Sequence, residues 1–327
     1  MQDIERKISA ILKIIAYSKD PIGSADISIK LRDFGIDLTE RSVRYHLKIM
    51  DERGLTYGKW KEGRLITEKG KAELQNLLVS DKVGFVISKI ESLAYQMDFD
   101  LAKKIGSVIL NVSFIPKDKF NLAMKIMAEV FDHAFNMGRL VACAYEGEEL
   151  GGIDIPEGQV GFGTLCSVNL NGILLKEAIP VESKFAGILQ IENKIPLRFT
   201  DLISYAGSTL DPLEIFIRSK MTDVRGVLAS GQGKVMASFR EIPAISKEKA
   251  EEVLKKAEEA GLGSAWMIGK ASQPLLGVPV GMGRVGIVVL GGLNPIAAVE
   301  EAGIETRSQA LTTLFNYKEL KSFWDIN

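Results

Sequence analysis

Hydrophobic positions near the start of the chain recur at helical spacing in separate blocks. Ile4, Ile8, Ile11, Leu12 and Ile15 share one face and predict a helix over 3–17. After the turn DPIG, the run ADISIKLRDFG predicts a short second helix that Ser24 caps and Gly35 ends. In TERSVRYHLKIMDERGL, Val43, Leu47 and Met50 fall at i, i+4 and i+7; Thr39 caps this third helix and Gly54 stops it. His46 belongs at the buried edge of the same helix. The period then shortens. Two extended pieces, around Tyr57–Trp60 and Arg64–Thr67, flank the turn Lys61-Glu62-Gly63, and a further helix starts at Thr67. In VGFVISKIESLAYQM, Val83, Val86, Ile90, Leu93 and Met97 step by three and four. Two readings of that helix stand: a connector at a dimer interface, or a helix docked on its own domain.

From residue 107 the pattern occurs twice. NVSFIPKDKFNLAMKIMAEVF, from Asn111, compares with ASFREIPAISKEKAEEVLKKAEEAG, from Ala237, and KEAIPVES resembles EEAGIETRS. VGFGTLCSVNLNGI (160–173) aligns without a gap on VGMGRVGIVVLGGL (280–293), six of fourteen positions being identical. The repeated order reads strand, helix, strand, Gly-x-Gly, strand. Two copies of one α/β unit predict a pseudo-symmetric domain. The cleft where the glycine loops meet, Gly161 and Gly163 with Gly281 and Gly283, is then the natural place for a small ligand. One copy alone carries the insertion NKIPLRFTDLISYAGSTLDPLEIFIRSKMTDV, so the halves are not equivalent.

Charge changes the reading of the third helix. Its other side holds Arg41, Ser42, Arg44, Tyr45 and Lys48, and residues 41–71 carry nine basic against four acidic residues in a chain of net charge −1. Basic charge gathered on one small unit fits a polyanion. Three helices and a basic hairpin resemble the winged helix-turn-helix domain, in SVRYHLKIMDERGL followed by GRLITEKGKAEL. The resemblance implies that the third helix enters the DNA major groove and the hairpin touches the flanking backbone. Arg41 and Arg44 are then suited to guanine, Thr39, Ser42, Tyr45 and Lys48 to base edges or phosphates, and Lys59, Lys61 and Arg64 to phosphates. A winged helix that binds protein is the alternative.

Little in the sequence points to catalysis, and the expectation is a protein that is not an enzyme. GMGRVG (281–286) has the G-x-G-x-x-G spacing, but a strand-like run follows it where a dinucleotide site needs a helix. GQGK (231–234) lacks the spacing of a phosphate loop. Two histidines and two cysteines, Cys143 and Cys166, show no metal-ligand spacing, and Cys166 reads as a small buried hydrophobe in a strand. No uncharged apolar run reaches the length of about 18 residues that a membrane helix needs. A reducing cytoplasm is the expected home.

The second part resembles a specific family, the archaeal nitrogen-regulatory repressor NrpR. The resemblance is carried by VGFGTLCSVNLNGILLKEAIPVESKFAGIL, RFTDLISYAGSTLDPLEIFI, ASFREIP and GVPVGMGRVGIVVLGGLNPIAAVEEAGI. It implies a repressor of nitrogen-assimilation genes that binds palindromic operators as a dimer and releases them when 2-oxoglutarate binds. A homodimer is expected, and a heteromeric partner chain is the variant. The effector's two carboxylates call for cations or backbone N–H groups. Arg198 and Arg284 lie nearest the glycine loops or the insertion, and Thr164, Ser167 and Asn169 are suited to the keto group or a carboxylate. Strand alternation puts Thr164 on the opposite face from Ser167 and Asn169, so all three meet one ligand only if a bulge intervenes. The expected class is α+β, with a winged helix (1–80), a helical connector (81–106) and an internally duplicated α/β regulatory domain (107–327). Its halves are 107–232 and 233–327. A metabolite-binding protein, an enzyme or an effector-sensing subunit of a partner repressor are the other readings.

Overall fold

The computed structural model describes residues 2–18, 20–32, 35–59, 62–75 and 84–326. The chain forms two compact units, which divide between positions 83 and 84. Trp60, Lys61 and Val83, which the sequence assigned to the hairpin and to the amphipathic helix, lie outside the described residues.

The first unit contains α1 (Gln2–Ala16), α2 (Ser24–Leu31), α3 (Glu40–Glu52), the antiparallel hairpin β1 (Thr56–Lys59) and β2 (Gly63–Ile66), and α4 (Glu68–Gln75). Ile8, Ile11, Leu12, Ile15, Ile27, Leu31, Val43, Leu47 and Met50 close one core. Thr39 caps α3 as its sequence predicts, accepting a hydrogen bond from the Ser42 N–H at 3.2 Å, a contact of about 1 kcal/mol. Gly54 ends the helix at φ +70°. One cap differs from expectation. Gly23 caps α2, and Ser24 sits inside its first turn with its hydroxyl donating to Glu40.

The second unit is built from α5 (Phe85–Gln96) and two copies of a β-α-β-β-α-β unit. The first copy is β3 (Ser107–Pro116), α6 (Phe120–Asp132), β4 (Leu140–Tyr145), β5 (Gln159–Leu165), α7 (Asn169–Lys176) and β6 (Glu182–Glu192). The insertion follows as β7 (Ile195–Ser204), α8 (Pro212–Arg218) and α9 (Val224–Ser230). The second copy is β8 (Gly233–Pro243), α10 (Lys247–Glu259), β9 (Met267–Ile268), β10 (Arg284–Leu290), α11 (Asn294–Glu301) and β11 (Arg307–Asn316), with β12 (Lys321–Ser322) after it. Each copy lends its last strand to the other. The sheet orders are β11-β3-β5-β4-β12 and β7-β6-β8-β10-β9. The exchange fuses the copies, and a single hydrophobic core joins both sheets.

The copies superpose in a register different from the ungapped match. β5 and β10 place Val160 with Val285 and Gly161 with Gly286, five residues away from the alignment on GMGRVG. Gly281 and Gly283 sit in the turn before β10, whereas Gly161 and Gly163 lie inside β5. An asparagine pair fixes the true register. Asn169 Nδ2 donates to the carbonyls of Ile109 and Cys166, both at 2.8 Å, and its Oδ1 accepts from Ile109 N–H. Asn294 does the same with the Met236 backbone and Phe135 O. Each amide clasps the early part of its copy's first strand to the start of a helix.

GTLCSVNL is not one strand. β5 stops at Leu165, Cys166–Val168 turns, and α7 begins at Asn169. A turn, and not a bulge, therefore separates Thr164 from Ser167. α5 docks on its own unit: Val86, Ile90, Ala94 and Met97 are all in the core of the duplicated domain. A Cβ at Gly172 of α7 would stand 2.7 Å from Met97 Sδ and 3.1 Å from Ala94 O, so only glycine lets the two helices approach.

Candidate functional site

The first site is the outer side of α3. Burial of Val43, His46, Leu47 and Met50 forces Arg41, Arg44, Tyr45 and Lys48 onto the opposite side, at i, i+3, i+4 and i+7. Tyr45 is 62% exposed, and its ring meets His46 edge to face at 5.5 Å. Arg44 pairs with Glu40 and lies 3.3 Å from Ser24 Oγ. Lys48 stands 3.9 Å from Glu52. Exposed pairs of this kind contribute little and exchange readily for a phosphate. Ser42 is engaged with the Thr39 cap at 3.0 Å. Lys59 ends β1.

Arg64 has other work. Its Nε donates to Asp51 Oδ2 at 2.8 Å, Thr56 Oγ1 donates to Asp51 Oδ1, and its backbone bridges Ile22. The arginine ties the hairpin to α3 and to the loop before α2, so the phosphate role expected for it is already occupied by a carboxylate.

The second site lies where the copies meet. Arg240, on β8 of the second copy, is 2% exposed, and its Nη2 donates to Ser167 Oγ at 2.8 Å. Ser167 stands in the turn that opens α7 of the first copy. The Nε and Nη1 atoms of Arg240 are buried without a hydrogen-bond acceptor. Burial holds the guanidinium pKa below its ordinary value. Tyr205 and Cys166 act electrostatically on Arg240, and Asp211 acts on both of them. Burial raises the Cys166 thiol to about 12 and raises the Tyr205 phenol. Asp211, which caps α8 by accepting from Leu213 N–H at 2.9 Å, is pushed up to about 7 by desolvation and, behind it, by Glu214. Lys89 of α5 interacts with Asp211, Glu214 and Cys166, and desolvation lowers its pKa.

The remaining effector candidates are spread over the domain. Asn169 is wholly committed to its backbone clasp. Thr164 is buried on β5 with its hydroxyl lacking a partner. Gly161 and Gly163 are packing positions, where a Cβ at Gly161 would meet the Ile155 side chain. Arg198 is exposed on the edge strand β7 and donates to Gln190 Oε1 at 3.1 Å. Arg284 sits beside Gly281 and Gly283 and is engaged by Glu182 at 3.2 Å and by the buried Glu241 at 3.6 Å. Among the described residues no helix is long and apolar enough to cross a membrane, and no group of three His, Cys, Asp or Glu is placed to hold a metal.

Residues 83–322 match the family model for NrpR regulatory domains NRD1 and 2, and residues 9–74 match that of the ribonuclease R winged-helix domain. The chain is 40% identical over 318 residues to the global nitrogen regulator NrpRI of Methanosarcina mazei, covering 97% of this chain and 98% of that one. The chain belongs to the NrpR family. Two further members, the global nitrogen regulators NrpR of Methanocaldococcus jannaschii and Methanococcus maripaludis, are each 34% identical over 92% and 93% of this chain. The chain spans about half of each of them, 52% and 53% of their length. A crystal structure of a nitrogen repressor-like protein from Methanococcus jannaschii matches with a TM-score of 0.62 and 28% identity, over 73% of this chain and 98% of that one.

The NrpR chain therefore combines a winged-helix unit with an internally duplicated α/β regulatory domain. Of the effector residues expected from sequence, only Ser167 touches the buried cation between the copies. Arg240 itself went unseen, although the sequence held a signal. In ASFREIP an arginine falls in the interior of an otherwise well-buried strand, where the other copy has Ser113.

Proposed function

We propose that this chain is a DNA-binding repressor of nitrogen-assimilation genes, as its family membership implies, and that 2-oxoglutarate releases it from a palindromic operator. The observation that carries the reading is the exposed Arg41, Arg44, Tyr45 and Lys48 stripe on a helix whose back is locked into a winged-helix core. Such a helix presents its N-terminal arginines to base edges and its flanking cations to phosphates. A homodimer on the operator places two of these helices about one DNA turn apart. The longer relatives carry the alternative of a partner chain that supplies further domains.

Fluorescence anisotropy of the purified chain with a promoter fragment tests the DNA part. Affinity falls steeply as salt rises, because phosphate contacts release counterions. Arg41→Ala costs about 1–3 kcal/mol of specific binding, while Lys48→Ala weakens all sequences alike and lowers the salt slope by about 1. Binding that ignores both substitutions and the salt concentration contradicts the reading.

A further inference from the structure

Gly23 takes the capping place of α2, and the hydroxyl of Ser24 is spent elsewhere. Ser24 Oγ donates to Glu40 Oε1 at 3.0 Å and accepts from Arg44 Nε at 3.3 Å. Arg44 Nη2 donates to the same Glu40 oxygen. The three side chains close a ring that joins the first residue of α2 to the first and second turns of α3. As a pair alone, Arg44 and Glu40 would be an exposed contact that a phosphate displaces. The Ser24 hydroxyl adds a second fixed point on the same guanidinium. The neighbouring cations are held less. Lys48 has one contact, to Glu52 at 3.9 Å, and among the described residues Arg41 has no ion pair or side-chain hydrogen bond. Hydrogen bonds from Arg44 first, and then from Ser24, hold the Glu40 carboxyl below its ordinary pKa, so it stays charged through the neutral range.

A guanidinium has a rigid, planar set of donors, and its edges can be used separately. Nε and Nη2 form its side, and Nη1 and Nη2 form the end of the fork. In Arg44 the side is taken by Ser24 and Glu40, whereas the end has no partner among the described residues. That end fits guanine O6 and N7, the acceptor pair that an arginine reads with two hydrogen bonds in the major groove. An arginine already held loses less rotamer freedom on binding, and it offers base edges one orientation instead of several. Glu40 also places a negative charge on a face meant for phosphates, a cost that its hold on Arg44 offsets. We propose that Glu40 and Ser24 are positioning residues that hold Arg44 with the end of its fork toward one guanine of each operator half-site. The inference rests on the DNA-binding reading above and adds to it a source of base selectivity outside the stripe of cations. A Glu40 that served only the dipole of α3 would affect stability and leave base preference alone.

The test selects binding sites for the full chain from a randomised duplex library. Anisotropy then compares the selected site with a duplex in which adenine replaces the guanine, at fixed salt. The proteins are wild type, Arg44→Ala, Glu40→Gln, Ser24→Ala and the last two combined with Arg44→Ala. Arg44→Ala should remove the preference for one guanine, about 10- to 100-fold. Glu40→Gln and Ser24→Ala should each reduce that preference by about 3- to 10-fold. In the Arg44→Ala background neither should reduce it further. Glu40→Gln should also bind the adenine duplex more tightly than wild type, because a negative charge is removed from beside the phosphates. Ser24→Ala keeps the Gly23 cap, so it carries the criterion should Glu40→Gln prove unstable. A guanine preference that Glu40→Gln and Ser24→Ala leave at its wild-type value, or that survives Arg44→Ala, overturns the inference and leaves DNA binding intact. An effect of Glu40→Gln that persists in full without Arg44 would make Glu40 a base contact in its own right, and it too overturns the inference. A wild-type chain that selects no sequence overturns both the inference and the reading beneath it.

Discussion

The two halves of the regulatory domain have the same elements, the same asparagine clasp and exchanged last strands, yet they treat one equivalent position in opposite ways. Around Ser113 the chain spends the space on packing: Gly292 lets Leu165 O come close, and Asn111 accepts from the N–H of Leu311, held at a positive φ of 52°. Around Arg240 it leaves polar atoms unsatisfied. A duplicated fold thus treats matching places differently, one closed by tight packing and the other holding a buried, incompletely hydrogen-bonded cation between the copies. The insertion reaches both places: Tyr205 acts on Arg240, and Glu214 accepts from the Ala310 N–H of β11 at 2.8 Å.

Substitutions should expose that division. The largest effect belongs to Gly292→Val, where the new side chain meets backbone that cannot turn away; a loss of about 3 kcal/mol or more is expected in urea unfolding. Next come Asn169→Ala and Asn294→Ala. Each removes three buried hydrogen bonds and should cost about 3 kcal/mol, and near-equal losses would confirm that the clasps are equivalent. Ser167→Ala should cost about 1 kcal/mol or less in stability, far below Gly292→Val at the matching position, because it removes one bond from a site already incomplete.

The effect at Asp211 is read as a pH dependence. Its folded pKa, near 7, exceeds its ordinary value of 3.8. Between those values the folded state keeps a proton that the unfolded state gives up, so this group lowers stability as pH rises from about 4 to 7 and leaves the full deficit above that. Asp211→Asn keeps the cap on α8 and should raise the melting temperature more at pH 8 than at pH 4. An equal shift at both values would show that the carboxylate titrates normally.

Much of the first unit was legible because its signals are local. The stripe of α3, the Thr39 cap and the Gly54 stop can each be read within about a dozen residues. Ser24 misled because Gly23 and Ser24 are both acceptable caps and the backbone alone decides between them. The second unit was legible as a duplication, but its register was not. Matching Gly-x-Gly pairs outweighed the less conspicuous Val-Gly and Asn pairs that the fold aligns. α7 and α11 were missed because NLNGILLK and NPIAAVEE are buried almost all round, which removes the polar face that reveals a helix. The strand exchange, and with it the meeting of Arg240 and Ser167 from different copies, depends on contacts across 73 residues that no local pattern records.

The most direct test of the DNA-binding repressor reading is anisotropy of the full chain on operator DNA at fixed salt, titrated with 2-oxoglutarate, for wild type and Arg41→Ala side by side. Wild type should bind the DNA and be released by the ligand, while Arg41→Ala should bind about 1–3 kcal/mol more weakly before any ligand is added. Wild-type binding that is indifferent to the ligand, or DNA affinity that Arg41→Ala leaves unchanged, would contradict that reading.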